Sequence, residues 1–104
     1  MFFETRNDSQ HKLIYVYLAQ SVNAGTSFLK NVRMTTRGWD PAVKAPIDPS
    51  GLQFIGDYQG LAADNGFVHP FWNDTRTGIQ DIFTAAAPSA QPGLVRASGS
   101  CARL

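Results

Sequence analysis

Residues 54–87 read FIGDYQGLAADNGFVHPFWNDTRTGIQDIFTAAA, a stretch with three β-type segments separated by strong turn signals. The first segment, residues 58–63, is followed by Asp-Asn-Gly, and Asn-Gly supplies the positive φ angles that a tight hairpin turn requires. The second segment is residues 67–72, and a polar run separates it from the third, residues 80–86. The stretch therefore predicts a three-stranded antiparallel meander.

A second copy of one pattern in this stretch lies at the N-terminus of the chain. Residues 2–6 (FFETR) precede residues 15–19 (YVYLA), just as residues 72–76 (WNDTR) precede residues 81–85 (DIFTA). The shared pattern is an aromatic residue, any residue, an acid, Thr and Arg, then a turn and a strand that ends in Ala. A repeat made only of strands and turns indicates stacked or radially arranged β-units rather than one closed barrel.

Two more strands and a long loop lie between the copies. Residues 13–20 are apolar on both alternating faces, which predicts a strand buried between layers. Residues 29–35 predict a strand with one solvent-exposed face. Residues 37–51 carry three prolines and two glycines and predict an irregular loop at a rim, where binding sites collect. Trp39 and Asp40 are therefore candidate ligand-binding residues. The alternative for Trp39 is that it packs over the core beneath the loop, as most large aromatic residues do.

Residues 21–28, SVNAGTSF, predict a turn that closes on itself. The side chains of Ser21 and Asn23 can bond backbone groups of the turn, and Gly25 permits a left-handed conformation. We expect Phe28 to insert between the sheets. Because such a turn uses up its own polar groups, we interpret it as structural rather than as a ligand site.

The overall composition restricts the class of protein. The 104 residues suit one small domain, and 43% hydrophobic with 16% charged residues indicates a globular chain. A net charge of +1 with scattered Lys and Arg predicts no nucleic-acid partner, and no apolar run approaches the ~20 residues of a membrane span. Cys101, His11 and His69 have no metal-ligand spacing, so neither a metal site nor a cofactor is predicted.

The two ends of the chain carry separate expectations. The sequence begins inside the aromatic-acid-Thr-Arg pattern, so we expect a strand before Phe2 to be missing and the chain to be a truncated piece of a longer protein. It shows no signal peptide, which is uninformative if the N-terminus has been lost. Residues 88–104 are rich in Ala, Ser, Gly and Pro and predict a mostly unstructured tail, with Leu94-Val95 as a weak candidate for a short edge strand.

Three motifs in this order resemble the bacterial sialidase-like, BNR-repeat glycosyl hydrolases. They are SVNAGTSF at 21–28, GDYQGL at 56–61 and FWNDTR at 71–76. The first resembles the Asp-box S-x-D-x-G-x-T-W, with Asn23 for the Asp, Ser27 for the Thr and Phe28 for the Trp. The resemblance covers residues 1–87 and implies an all-β fold of antiparallel four-stranded blade meanders. It implies about two blades from the C-terminal part of a six-bladed β-propeller.

The resemblance also implies a chemistry. Sialidases use a Tyr nucleophile paired with a Glu, an Asp as acid/base and three arginines that bind the substrate carboxylate, an exception to the two-carboxylate glycosidase plan. Tyr58 resembles the catalytic Tyr, and the neighbouring Asp57 joins Trp39 and Asp40 as a candidate ligand-binding residue. The remaining catalytic groups would belong to blades outside this chain, so we expect the isolated chain to be inactive.

Asp74, Thr75 and Arg76 are interpreted as a structural motif, in which the acid and the Arg pair across a blade turn. Two copies of the pattern, at 4–6 and 74–76, cannot both serve one active site.

Three functions remain open at this point. The parent is a secreted or cell-surface sialidase-like hydrolase, or a non-catalytic propeller that binds glycans or proteins, or the chain is a truncated reading frame without a function of its own. Because the neighbouring blades would be missing, we expect self-association.

Overall fold

The computed structural model describes residues 1–56, 59–64, 66–91 and 100–103. Within these ranges the chain is all-β and contains no helix, as the sequence predicts. The seven strands are β1 (Phe2–Glu4), β2 (Tyr15–Leu18), β3 (Val32–Arg33), β4 (Gly60–Ala63), β5 (Phe67–Asp74), β6 (Asp81–Pro88) and β7 (Ser100–Arg103). They form two antiparallel sheets: sheet 1 has the order β1-β2-β3, and sheet 2 has the order β4-β5-β6-β7.

The predicted meander over residues 58–86 is confirmed in its described part. β4 pairs with β5 in the register Ala63↔Val68, and β5 pairs with β6 in the register Asp74↔Asp81. The Asp64 carboxylate accepts the backbone N–H of Gly66 and of Phe67, each at 2.7 Å, and this closes the hairpin. Asn65 of the predicted Asn-Gly turn lies outside the described residues.

Sheet 1 differs from the prediction at its borders. β1 pairs with β2 although residues 2–4 were expected only to lead into a turn, because the hairpin brings Phe2 opposite Tyr17 and completes their backbone hydrogen bonds. The predicted strands 13–20 and 29–35 shorten to four and two residues. Ile14 leaves the ladder because its backbone exchanges hydrogen bonds with Trp39 of the long loop instead.

The expectation of an unstructured tail over 88–104 does not hold for Ser100–Arg103. This segment is β7, which pairs antiparallel with β6 in the register Ala85↔Cys101. β6 is eight residues long, and without β7 one edge of its backbone would lack partners. Backbone pairing needs no large apolar side chains, so composition alone did not identify this strand.

One hydrophobic core joins the two sheets. β5 and β6 are buried at alternate positions, which is the pattern of strands with one face on a core. Two buried sets meet in a single cluster: Val16, Leu18, Met34 and Trp39 from sheet 1 and its loop, and Val68, Trp72, Phe83, Ala85 and Ala87 from sheet 2. The predicted burial of residues 13–20 on both faces is confirmed for Val16, Tyr17 and Leu18, whereas the other residues of this range are half-buried.

Hydrogen bonds join the sheets at both ends of this core. At one end the Gln20 amide donates to the Pro88 carbonyl at 3.1 Å and accepts the Ala90 N–H at 2.8 Å. At the other end Arg37 donates to the Arg76 carbonyl at 2.8 Å. The two sheets are therefore held in one fixed arrangement, and the motif at 74–76 lies at the second of these ends.

Candidate functional site

The acid–Thr–Arg motif that follows β5 forms a buried ion pair. The Asp74 side chain is fully buried and the Arg76 side chain is 8% exposed. Arg76 donates to Asp74 Oδ2 through Nη2 and, at 2.9 Å, through Nε. The Trp72 indole donates to the same oxygen at 3.0 Å, and the Arg76 backbone N–H donates to Oδ1 at 2.8 Å. The carboxylate is thus held by four N–H donors, as a buried charge requires.

The ion pair and its turn also connect sheet 2 to the segment that follows β3. Arg76 Cζ lies 4.4 Å from the centre of the Phe83 ring on β6, and Nη1 donates to the Thr36 hydroxyl at 3.2 Å. The Thr75 hydroxyl donates to the Asp40 carbonyl of the long loop. Since the positive charge of Arg76 is compensated by Asp74, this arrangement is suited to holding two sheets together rather than to receiving an anionic substrate.

The first copy of the motif has the same internal geometry. Arg6 Nη2 donates to Glu4 Oε2 at 2.7 Å, and Arg6 Cζ lies 4.7 Å from the centre of the Tyr17 ring. Phe2 and Tyr17 stack with ring centres 5.9 Å apart, as Trp72 and Phe83 do at 6.4 Å. The acid and the Arg therefore form an ion pair in both copies.

The equivalence extends to the turn and to the third strand. The Thr5 carbonyl accepts the Asp8 N–H at 2.9 Å, and the Thr75 carbonyl accepts the Gly78 N–H at 2.9 Å. In register, Phe2, Tyr17 and Arg33 align across sheet 1, as Trp72, Phe83 and Arg103 align across sheet 2. The chain therefore contains two copies of a three-stranded unit, β1-β2-β3 and β5-β6-β7.

Sequence reasoning identified the acid and the Arg but missed the aromatic residues on the next strand. Tyr17 and Phe83 are the third residues of the aligned segments 15–19 and 81–85, and this coincidence was the available signal. It also missed two residues that contact Arg76: Thr36, just before the long loop, and Arg37, its first residue. No local pattern marks these two residues, because their role depends on a contact across 39 or 40 positions of sequence.

The structure places the proposed ligand-binding residues as follows. Trp39 is 2% exposed and packs edge to face on Phe3, with ring centres 5.6 Å apart, which agrees with the packing alternative. Its indole Nε1 has no hydrogen-bond partner among the described residues. Asp40 Oδ1 accepts the Ala42 N–H at 2.8 Å and so organises a turn. Asp57 and Tyr58 lie outside the described residues.

A shallow groove adjoins the turn at Asp40. It has a volume of about 270 Å³ and is lined by Ile14, Pro41, Ala42, Gln53 and Ile55. Four of these side chains are apolar, so the groove offers a contact surface with one amide and no charged group. In the described part of the chain, no group of three or more His, Cys, Asp or Glu side chains is placed to hold a metal ion.

The loop at residues 21–28 satisfies its own polar groups, as predicted. Asn23 Oδ1 accepts the Ser27 N–H at 3.0 Å and the Ser21 hydroxyl at 2.9 Å, and Ser21 Oγ accepts the Gly25 N–H at 2.9 Å. Gly25 has a φ of 83°, the left-handed conformation expected of it. The loop connects β2 to the antiparallel β3.

The expected insertion of Phe28 between the sheets is wrong. Phe28 is 64% exposed, and every residue from 22 to 28 is exposed. The physical reason is that the turn closes through its own hydrogen bonds and β3 pairs with β2 over only two residues, so nothing draws the ring into the core. Trp39 of the long loop occupies the core instead.

Replacing Asn23 tests the contribution of this loop to stability. Asn23→Ala should lower the free energy of unfolding by about 1–2 kcal/mol, because it removes the acceptor of two hydrogen bonds and the donor to Ser27 Oγ. Asn23→Asp is the matched control and should stay close to the original chain, since a carboxylate keeps both acceptor functions. Urea unfolding followed by circular dichroism measures both, and equal stability of all three chains would contradict a structural role.

Several exposed carboxylates are held in their charged form by local donors. The N–H groups of Leu13, Gln10 and Lys12 hold the pKa of Asp8 below its ordinary value. The N–H groups of Phe67 and Gly66 lower the pKa of Asp64, and the Ser50 hydroxyl followed by the Leu52 N–H lowers the pKa of Asp48. Hydrogen bonds to the ionised form are the common cause.

These shifts predict a loss of stability in acid. A carboxyl group whose pKa is lower in the folded than in the unfolded chain stabilises the fold above the unfolded value of about 4, and this stabilisation is lost as the pH falls below it. The urea midpoint should therefore be constant near neutral pH and fall below pH ~4. Asp8→Asn should make that fall shallower, and a midpoint independent of pH down to ~3 would contradict the prediction.

Comparisons with known proteins give no relative for this chain: no family model, no curated protein and no solved structure matches it. Among the described residues, no helix has the length and apolar character needed to cross a membrane.

Proposed function

We propose that the chain is a part of a sialidase-like β-propeller in which its two sheets are successive blades, and that it has no glycosidase activity alone. The observation that carries the proposal is the repeated three-stranded unit, in which an acid–Thr–Arg ion pair lies over an aromatic residue of the next strand. The resemblance of residues 21–28, 56–61 and 71–76 to the BNR-repeat family supports it. So does the order β4-β5-β6-β7, since an antiparallel meander of four strands is the plan of a propeller blade.

In this proposal the motif at 74–76 is structural in the parent protein. Asp74 and Arg76 neutralise each other under the core, so neither takes part in binding the carboxylate of a sialic acid. Tyr58 is the proposed nucleophile and Asp57 a proposed ligand-binding residue, both by resemblance. The other catalytic groups come from blades outside these 104 residues, and the parent acts on glycans at the cell surface or after secretion.

A catalytic assay tests the inactivity of the isolated chain. We expect no turnover of an artificial sialoside by the purified chain, because a propeller site is assembled at the central axis from the loops of several blades. Tyr58→Phe is the matched control, since it removes only the proposed nucleophilic oxygen. Turnover that this substitution abolishes would contradict the proposal.

The genomic reading frame around these 104 codons tests the architecture separately. It should encode further copies of the aromatic, x, acid, Thr, Arg pattern, with a spacing close to the 70 residues between Arg6 and Arg76. A reading frame without further copies would contradict the propeller.

The second candidate is a non-catalytic propeller that binds glycans or proteins, and the open groove beside Asp40 favours it. Its lining is mostly apolar, as binding surfaces often are. A parent reading frame with propeller repeats but without a Glu and an Arg set would support this candidate, whereas the presence of that set would support the enzyme.

A further inference from the structure

The two copies of the three-stranded unit each have two different faces. We call the face with the stacked rings and the ion pair the Arg face, and it holds Phe2, Glu4, Arg6 and Tyr17 in sheet 1 and Trp72, Asp74, Arg76 and Phe83 in sheet 2. Neighbouring positions on each strand point the other way. We call that side the aliphatic face, and it holds Phe3, Val16 and Leu18 in sheet 1 and Asn73, Ile82 and Thr84 in sheet 2.

The interface between the sheets joins unlike faces. Trp72 and Phe83 from the Arg face of sheet 2 lie in the same core cluster as Val16 and Leu18 from the aliphatic face of sheet 1. The contact is therefore heterologous: one copy of the unit offers one face and the other copy offers the opposite face. A heterologous contact leaves one face of each kind uncovered, and it can be repeated.

The burial of equivalent residues shows which parts of the faces remain open. On the Arg face of sheet 1 the Tyr17 ring is 7% exposed, so the open part is the ion pair of Glu4 and Arg6 with the half-buried Phe2. Arg76 and Asp74 have side chains 8% and 0% exposed, whereas the equivalent Arg6 and Glu4 are 46% and 30% exposed. On the aliphatic face the difference in burial is the opposite, with the sheet 1 residue buried and the sheet 2 residue exposed. Val16 is fully buried, whereas Ile82, which occupies the equivalent place opposite Asn73, is 50% exposed.

The open aliphatic face of sheet 2 is more apolar than a solvated sheet face. Phe67 and Phe71 lie on the same side of β5 as Asn73, and Phe67 is 49% exposed. With Ile82 they place three large apolar side chains on this face, among the polar residues His69, Asn73 and Thr84. Exposed large apolar side chains grouped on one sheet face are candidates for protein contact.

We propose that two copies of this chain associate head to tail, with the Arg face of sheet 1 of one copy packed on the aliphatic face of sheet 2 of the next. The contact already present between the two sheets is the template, because each open face is the equivalent of one that is buried in it. In the proposed parent a neighbouring blade covers each of these faces, and for the 104-residue chain a second copy offers the same complementary face. The inference rests on the same equivalence of the two sheets as the proposed function, and it does not depend on the activity of the parent protein. Successive copies form a closed ring or an open chain, according to the rotation between them.

The experiment uses two variants that each disable one face. Phe2→Asp places a charge on the Arg face of sheet 1, and Ile82→Asp places one on the aliphatic face of sheet 2. In sedimentation velocity the original chain should show a mass that rises with concentration. Each variant alone should require a concentration on the order of tenfold higher or more to associate, because the interface loses an apolar side chain and gains a carboxylate that must be desolvated.

Mixing the two variants gives the decisive result. The Phe2→Asp chain keeps an intact aliphatic face and the Ile82→Asp chain keeps an intact Arg face, so an equimolar mixture should form a 1:1 heterodimer and nothing larger. Contact between like faces would not be restored by mixing, so failure to form the heterodimer would overturn the proposal. A monomeric original chain at all concentrations would also overturn it, whatever the outcome of the sialoside assay.

Two controls keep the outcome interpretable. Arg6→Glu is a second variant of the Arg face, at a residue 46% exposed whose replacement does not disturb the core. Mixed with the Ile82→Asp chain, it should form the 1:1 heterodimer as Phe2→Asp does. If neither Arg-face variant forms the heterodimer, while both keep a circular dichroism spectrum like that of the original chain, the proposal is overturned. Phe28→Asp removes an exposed apolar ring that lies on neither of these faces, so this variant should associate as the original chain does.

Discussion

Asp74→Asn should lower the free energy of unfolding by about 3–5 kcal/mol, the largest effect expected of any isosteric substitution in this chain. Asn has almost the same shape as Asp, so the change creates no cavity and removes only the negative charge. The Arg76 guanidinium, 8% exposed, would then keep its charge in a buried place after losing its ion pair with Asp74. Chemical unfolding followed by tryptophan fluorescence measures the loss, since Trp72 donates to the same carboxylate.

The first copy of the motif supplies the matched control. Glu4→Gln removes the same charge from the equivalent ion pair, but Glu4 and Arg6 are exposed to water, which solvates the Arg6 charge when its partner is lost. We expect little change in stability. Equal losses in Asp74→Asn and Glu4→Gln would contradict the claim that burial determines the strength of this motif.

Removing both charges of the buried pair separates the value of the contact from the cost of leaving Arg76 charged after Asp74 is neutralised. Asp74→Leu combined with Arg76→Met leaves two apolar side chains of similar reach. The double variant should be more stable than Asp74→Asn, because neither charge of the pair remains to be desolvated in the core. A double variant as unstable as Asp74→Asn would mean that the hydrogen bonds to Trp72 and to the backbone, rather than the charge, cause the loss.

Trp39→Ala should lower the free energy of unfolding by about 3–5 kcal/mol, because it leaves a large cavity between the sheets. Trp39 is 2% exposed, belongs to the shared core and packs on the Phe3 ring. Trp39→Phe should cost less, since it keeps an aromatic ring and removes the indole N–H that lacks a partner among the described residues. Urea unfolding followed by far-ultraviolet circular dichroism measures both variants.

Phe28→Ala is the control for Trp39→Ala. Its ring is 64% exposed, so truncation should change stability by less than about 0.5 kcal/mol. A loss of stability in Phe28→Ala as large as in Trp39→Ala would support the original expectation that Phe28 is the aromatic residue between the sheets.

The local features of this protein could be predicted from its sequence because they depend on neighbours in the chain. The hairpins around residues 64–66 and 75–78 follow from Asp, Asn and Gly at the turns, and the strands between them follow from β-branched and aromatic residues. The pairing of acid and Arg is also local, since each pair spans two positions. The hydrogen bonds that close the turn at residues 21–28 are local in the same sense, because they join residues within that turn.

Features that depend on distant segments could not be predicted in this way. The choice between Trp39 and Phe28 as the core aromatic residue was decided by the long loop, whose backbone pairs with Ile14 across 25 positions of sequence. β7 pairs with the outer edge of β6, and its composition of small and charged residues gave no sign of it. Thr36 and Arg37 acquired their contacts with Arg76 in the same way.

The sequence by itself determined that this protein is all-β, where its turns lie, and that one motif occurs twice with an internal ion pair. Only the tertiary structure decided that the two copies differ in burial, with the Asp74 side chain fully buried and the Glu4 side chain 30% exposed. The physical reason is that hydrogen bonds, ring stacking and ion pairs within a hairpin are encoded by residues close in sequence, and are therefore the same in both copies. Burial depends instead on which face of one sheet meets which face of the other, and a heterologous contact between two equivalent sheets necessarily covers one copy of the motif and leaves the other open.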